Sequence, residues 1–79
     1  MSNNTRPLST IAQEIQSTWK KVYFGAVPYL QAMHSLKNIN DQYGFDDAKS
    51  IVIYFLSNAS TWRGDDARRI KKELNAMIK

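Results

Sequence analysis

Three glycines divide this 79-residue sequence into four segments, and in each segment the apolar residues recur with the spacing of an α-helix. The segment that ends before Gly64 is the clearest, because its apolar side chains follow the i, i+3, i+4, i+7 rule without a miss. They are Ala48, Ile51, Val52, Phe55, Leu56, Ala59 and Trp62. This longer period predicts a helix, although the run IVIYFL alone would also suit a buried strand.

The remaining segments carry similar stripes. In the first and last segments the stripes are Leu8, Ile11, Ile15, Trp19 and Val22, and Ala67, Ile70, Leu74, Met77 and Ile78. The sequence therefore predicts an all-α fold, a compact bundle of about four helices joined by short loops. The predicted helices span about residues 9–24, 28–43, 46–62 and 65–78. They form a single helical domain over residues 8–79, after a flexible N-terminal tail at residues 1–7.

Composition narrows the ways in which such a short chain can be stabilised. It has no cysteine and one histidine, which excludes disulfides and a structural zinc site and leaves helix packing or self-association. No stretch approaches the roughly 20 apolar residues of a membrane span, and the N-terminus lacks the apolar core of a signal peptide. We therefore expect a cytoplasmic protein with no membrane partner. Ile53 and Tyr54 lie off the main stripe of their helix, so this helix is expected to be central or to meet a partner. A homodimer would bury both residues, and a four-helix monomer could also hide them.

Basic residues crowd one side of the last predicted helix. The formal net charge is +4 and the isoelectric point is about 9.6. The proposed basic face, for an anion or a protein partner, comprises Arg68, Lys71, Lys72, Lys79, Arg63, Lys20 and Lys21. Three interpretations remain open: a solvated face, a protein-binding or anion-binding surface, and DNA recognition. Against DNA recognition, the first residues of the helix, which meet the bases in a helix-turn-helix protein, are Asp65 and Asp66.

Aromatic residues surround Lys20 and Lys21 in the stretch WKKVYFGAVPYL. Such a mixture suits core packing at a turn, a protein interface, or the stacking of single-stranded bases. Exposed aromatic side chains are common anchors of protein interfaces. The residues proposed as interface anchors are Phe24, Ile53, Tyr54 and Trp62.

Catalytic chemistry has little support in the sequence. There is no cysteine nucleophile, and His34 has no acidic partner at a recognisable catalytic spacing. The acidic pairs at residues 46–47 and 65–66 stand at predicted helix starts, where capping and the helix dipole explain them. We predict a protein that is not an enzyme and that holds no cofactor or metal.

The segments WKKVYFGAVPYLQAM and DDAKSIVIYFLSNASTWRGDDARRIKKELNAMIK resemble small helical proteins encoded by bacteriophages and prophages. This resemblance covers about residues 8–79 and brings no assigned function. It implies a bacterial host cytoplasm and a protein that binds host machinery. The leading hypothesis is a small binding protein that inhibits or modulates a host protein. The alternatives are a nucleic-acid or nucleotide-binding module that uses the basic face, and a structural or assembly component of a virion.

Overall fold

The fold was analysed in a computed structural model, which describes residues 6–79. Residues 1–5, which make up most of the predicted tail, lie outside the described residues. Helices make up 59% of the structure. They are α1 (Leu8–Thr18), α2 (Val27–Met33), α3 (Ala48–Ser57) and α4 (Asp65–Met77). A 3-10 turn (Phe24–Ala26) precedes α2, and two short strands, β1 (Gln42–Tyr43) and β2 (Asp46–Asp47), precede α3. The prediction of a mainly helical fold is confirmed, whereas that of a purely all-α bundle is wrong.

Helix α1 ends six residues earlier than the predicted boundary at residue 24. The Thr18 hydroxyl donates to the carbonyl oxygen of Glu14, and Ser17 does the same, so local side-chain bonds compete with the helix at its last turn. Trp19 then adopts an extended backbone and its side chain enters the core. Residues 20–23 form a turn and a short connection instead of two further helical turns.

The second predicted helix, 28–43, is wrong over its last ten residues. Helix α2 stops at Met33, and the Asp41 carboxylate accepts hydrogen bonds of 3.0 Å from the amides of Lys37 and Asn38. Short polar side chains of this kind offer the backbone an alternative to helical hydrogen bonds. The carbonyls of Leu36 and Lys37 accept the first two amides of α1, from Ser9 and Leu8. Two backbone carbonyls in the chain after α2 therefore cap the N-terminus of α1.

A β-hairpin replaces the helix–helix turn that the sequence suggested around Gly44. Strands β1 and β2 are antiparallel, with Tyr43 opposite Asp46, so Gly44 and Phe45 form a two-residue loop. Gly44 has a φ of 63°, and a glycine in the first position of such a loop is the mark of a type II′ turn. The next helix begins at Ala48, because the Asp47 side chain caps it by accepting the Ser50 amide at 2.7 Å.

Helix α3 also ends early, at Ser57 rather than at residue 62. The Asn58 side chain donates to the carbonyl of Tyr54, and a turn then carries Ala59 and Trp62 back into the core. Helix α4 follows Gly64, which has a φ of 113° that L residues rarely adopt, and its predicted start at residue 65 is confirmed. The last predicted residue, Ile78, is the C-terminal cap of α4.

The core is apolar throughout the described residues, with buried side chains from every helix. The fully buried positions include Ile11, Ile15, Val52, Phe55, Ile70 and Leu74, as the stripes predict. At one end the rings of Trp19 and Trp62 stack with centroids 5.4 Å apart. Phe55 meets both of these rings edge-on, at 6.1 and 6.4 Å. This aromatic cluster joins the end of α1, helix α3 and the loop before α4.

Candidate functional site

Large apolar side chains are exposed along one side of α3 and at its C-terminal end. Phe24 is 79% exposed, Tyr54 48% and Ile53 40%. The placement of these three residues at the surface agrees with their proposed role as interface anchors. Part of the apolar surface of the chain is therefore exposed to solvent.

Two pairs of aromatic rings lie in this region of the surface. The rings of Tyr23 and Phe24 lie 4.8 Å apart, and those of Tyr29 and Tyr54 lie 5.5 Å apart. Asn58, the C-terminal cap of α3, donates from its side-chain amide to the carbonyl of Tyr54. A Cβ atom at Gly25 would approach both Asn58 and Tyr23 within 3 Å. We call Tyr23, Phe24, Tyr29, Tyr54 and the adjacent Ile53 the aromatic face.

The hairpin places a further aromatic residue in solvent, and this one was missed from the sequence. Phe45, in the two-residue loop, is fully exposed, and Tyr43 before it is 45% exposed. The acidic residues Asp46 and Asp47 follow directly. The order Tyr-Gly-Phe-Asp contained the signal, since glycine suits the first position of a tight hairpin loop. The prediction of a long second helix concealed it.

Trp62 does not belong to the exposed set. It is 3% exposed and stacked on Trp19, so its proposed role as an interface anchor is incompatible with its position in the core. Its position on the apolar stripe of the third segment correctly indicated that Trp62 is buried. The indole packs inside the protein although the helix ends five residues before it, because the turn at Ala59 keeps the ring directed inward.

The basic face divides into cations with different surroundings. Lys71 donates to the carbonyl oxygen of Trp62 at 2.7 Å, and its Nζ lies 5.9 Å from the centre of the Trp62 ring. Arg68 pairs with Asp65 at 3.2 Å. Arg63, Lys72 and Lys79 are exposed and have no carboxylate partner among the described residues. Two residues of the proposed basic face on α4, Arg68 and Lys71, therefore already have partners within the chain.

The other proposed cations, Lys20 and Lys21, are exposed in the turn after α1. They follow Trp19, and Arg63 follows Trp62, so the stacked indoles bring these two basic loops to the same end of the molecule. Lys20 and Lys21 also lie directly before the aromatic face. The loops thus place positive charge beside both the indole pair and Phe24.

A network of ion pairs neutralises two other arginines. Arg69 contacts Glu14 and also Asp66, three residues before it, whereas Glu73 binds Arg6. Arg6 donates to both carboxylate oxygens of Glu73, at 3.0 and 2.7 Å, and contacts Glu14 at 2.8 Å. The network ties the N-terminal segment to α1 and α4. Arg6 and Arg69 are therefore not available to an anionic ligand.

Charge interactions shift several pKa values in accordance with these contacts. Hydrogen bonds from Arg69 and then Arg6 hold the pKa of Glu14 below its usual range. The Glu73 carboxylate raises the pKa of Arg6. Burial, and then the positive charge of Arg63, lowers the pKa of Lys71.

The residues considered for catalysis are dispersed. The Nε2 atom of His34 lies 2.9 Å from Oε1 of Gln16, so the imidazole links the end of α2 to α1. Asp46 and Asp47 belong to the hairpin, and Asp65 and Asp66 to the first turn of α4. Among residues 6–79, no group of three or more histidine, cysteine, aspartate and glutamate side chains is placed to hold a metal ion.

The sequence matches no protein-family model, no curated protein and no solved structure. Within the described part of the chain, no helix has both the length and the apolar character needed to cross a membrane. The surfaces above are therefore interpreted from their own chemistry.

Proposed function

We propose that this chain is a small, non-catalytic binding protein that acts by contact with another protein through the aromatic face. The exposure of Phe24, whose ring contacts Tyr23, and of Tyr54, whose ring contacts Tyr29, carries the proposal. Aromatic residues are enriched in the central, fully desolvated parts of protein interfaces, where a few of them supply most of the binding energy. Exposure of a large contiguous apolar patch is otherwise unfavourable for a soluble domain.

The charges around the aromatic face define the partner more closely. Lys20 and Lys21 are exposed directly before Tyr23 and Phe24, and Lys49 is exposed on α3. Complementary charge at the rim of an interface increases the rate of association and selects against wrong partners. We therefore expect a partner with an apolar patch bordered by carboxylates. The resemblance to bacteriophage proteins supports a host protein in this role, whose activity the chain inhibits or modulates.

Nucleic-acid binding is less well supported than protein contact. A helix that follows a phosphate backbone needs several free cations in a row. On α4, Arg69 is neutralised by Glu14 and Asp66, and the exposed carboxylates of Asp65 and Asp66 interrupt the row of cations. Trp62 is buried and is not accessible for stacking on a base. We therefore retain the nucleic-acid and virion alternatives only as outcomes of the test.

Affinity capture from a bacterial lysate tests the proposal when wild type is compared with variants. Phe24→Ser and Tyr54→Ser remove exposed aromatic surface and are expected to reduce recovery of a specific partner at least about tenfold, which corresponds to about 1.4 kcal/mol of binding energy. Recovery should fall little between 50 and 300 mM salt, because apolar contact is weakly screened. Quantitative mass spectrometry measures both effects.

Phe45→Ser is a matched control, because it removes an exposed phenylalanine outside the aromatic face. Equal recovery of the same partners by wild type and by both aromatic-face variants would contradict the proposal. Recovery of nucleic acid that declines steeply with salt would favour the phosphate-binding alternative. Sedimentation of the purified chain checks for a homodimer, which the same variants should dissociate if the aromatic face is a self-contact.

A further inference from the structure

An open groove lies at the junction between the α3–α4 loop and α4. Its volume is about 270 Å³, and it is lined by Trp62, Arg63, Gly64, Ala67, Arg68 and Lys71. Three of the six lining residues are cationic, whereas none is acidic. The remaining lining is apolar or glycine, and Arg68 alone of the three cations has a carboxylate partner, the exposed Asp65 outside the lining at 3.2 Å.

The cations of the groove differ in how firmly their side chains are held. Lys71 is fixed by its hydrogen bond to the Trp62 carbonyl and by the indole beneath it, so it cannot move away from Arg63 without losing both contacts. Arg63 has no carboxylate within ion-pair distance among the described residues. Arg63 and Lys71 both line the groove, and an anion bound between two cations lowers their mutual repulsion. The groove is thus arranged for an anion before any ligand binds.

We propose that this groove binds a single phosphate group, free or as a phosphomonoester, between Arg63, Lys71 and Arg68. A guanidinium donates two parallel hydrogen bonds to phosphate oxygens, and an ammonium adds a charge-assisted bond. Arg68 remains able to contribute, because its pairing with Asp65 is solvent-exposed and therefore weak. This site does not depend on the protein contact through the aromatic face.

The neighbouring surface argues against a longer polyanion. The adjoining hollow is lined by Asp65, Arg68, Arg69 and Lys72. Asp65 is fully exposed there, and Arg69 is neutralised by Glu14 and Asp66. A second phosphate in that hollow would meet a carboxylate and only one unpaired cation. The favourable region is therefore limited to about one phosphate group.

Tryptophan fluorescence provides a direct readout of the groove. The chain has two tryptophans, and they stack on each other, with Trp62 in the groove wall. The experiment titrates inorganic phosphate, phenyl phosphate and a single-stranded oligothymidylate into the full chain at constant ionic strength, balanced with chloride. It uses wild type, Arg63→Gln and Lys72→Gln.

Arg63→Gln removes an exposed cation of the groove that makes no hydrogen bond to the rest of the described chain, so its fold should persist by circular dichroism. Lys72→Gln removes the same charge from the neighbouring surface and is the matched control. We expect a saturable response to phosphate or phenyl phosphate that Arg63→Gln weakens at least about tenfold and Lys72→Gln less than about threefold. Preference for one of the two probes distinguishes free phosphate from a phosphomonoester.

Two results would overturn the phosphate site. One is a phosphate response that is linear, or that is unchanged in Arg63→Gln. The other is binding of the oligonucleotide alone, weakened equally by both variants, which would assign the cations to an extended nucleic-acid surface. Neither result bears on the aromatic face, since the partner capture described above uses different residues.

Discussion

Replacing Phe55 by alanine is expected to destabilise the fold by about 3–5 kcal/mol, the usual range for truncation of a buried aromatic residue. Phe55 is fully buried and lies edge-on to both Trp19 and Trp62, so its loss opens a cavity beside the stacked indoles. A domain of this size has a stability of roughly 4–12 kcal/mol. The variant should therefore unfold at a markedly lower urea concentration than wild type. Urea unfolding, followed by tryptophan fluorescence, measures the loss.

Phe45→Ala is the matched control, because it makes the same chemical change at a fully exposed position. Its effect on the free energy of unfolding should stay within about 0.5 kcal/mol. A similar loss in both variants would mean that Phe55 does not occupy the core or that the hairpin tip packs against other parts of the chain. Either outcome would contradict the fold described here.

Replacing Glu14 by glutamine is expected to destabilise the fold by about 1–3 kcal/mol at neutral pH. Glu14 accepts contacts from both Arg6 and Arg69, and its side chain is 28% exposed, so solvent screens the pairs only in part. Asp66→Asn is the control. Asp66 makes one ion pair at 3.2 Å and is 58% exposed, so its loss should cost less than about 0.5 kcal/mol. Thermal or urea unfolding of the three proteins gives the comparison.

The stability that Glu14 contributes is expected to depend on pH. The pKa of Glu14 is lower in the folded protein than its usual value of 4.5, so the folded state favours the ionised carboxylate. The stability that Glu14 contributes is fully present above pH 4.5 and is lost as the pH falls through the lower, folded pKa. Wild type and Glu14→Gln should differ most near pH 7 and converge as the pH falls below 4.5. A difference that stays constant over this range would exclude an ionic role for Glu14.

Much of the core could be predicted from the sequence, because apolar periodicity depends on burial and burial persists even where a helix ends. Ala59 and Trp62 follow the stripe of α3 and are buried, although both lie in the loop after the helix. Helix α4 matches its predicted range within one residue, since Gly64 and the two aspartates define its start. Periodicity therefore identified which side chains are inside more reliably than which residues are helical.

The chain between α2 and α3 could not be predicted in the same way. Ile39 and Tyr43 happen to continue the helical spacing, but Asp41 binds two backbone amides locally and Leu8 and Ser9 require acceptors from residues 36 and 37. The second of these causes is a tertiary contact, so the local sequence does not contain it. Because residues 34–43 were predicted as helix, the hairpin and the exposed Phe45 were not predicted.

The candidate surfaces were predicted in part. Phe24, Ile53 and Tyr54 are exposed, whereas the sequence left packing at the turn open for Phe24 and burial within the bundle open for Ile53 and Tyr54. The spacing of residues on α4 placed Arg68, Lys71 and Lys72 on one side but gave no information on Arg63, which comes from the preceding loop. It also could not show that Lys71 is anchored to the carbonyl of Trp62. Contacts between a loop and a helix are set by packing, which sequence spacing does not describe.

The most direct test of a protein partner on the aromatic face is site-specific photo-crosslinking in bacterial cells. A photoreactive phenylalanine analogue at position 24 would replace a residue that is already aromatic and exposed, with the same analogue at Lys37, in the loop after α2, as the control. We predict one dominant crosslinked protein from position 24 that is absent from position 37 and is lost when Tyr54→Ser is added. The same weak, diffuse products from both positions would contradict the account.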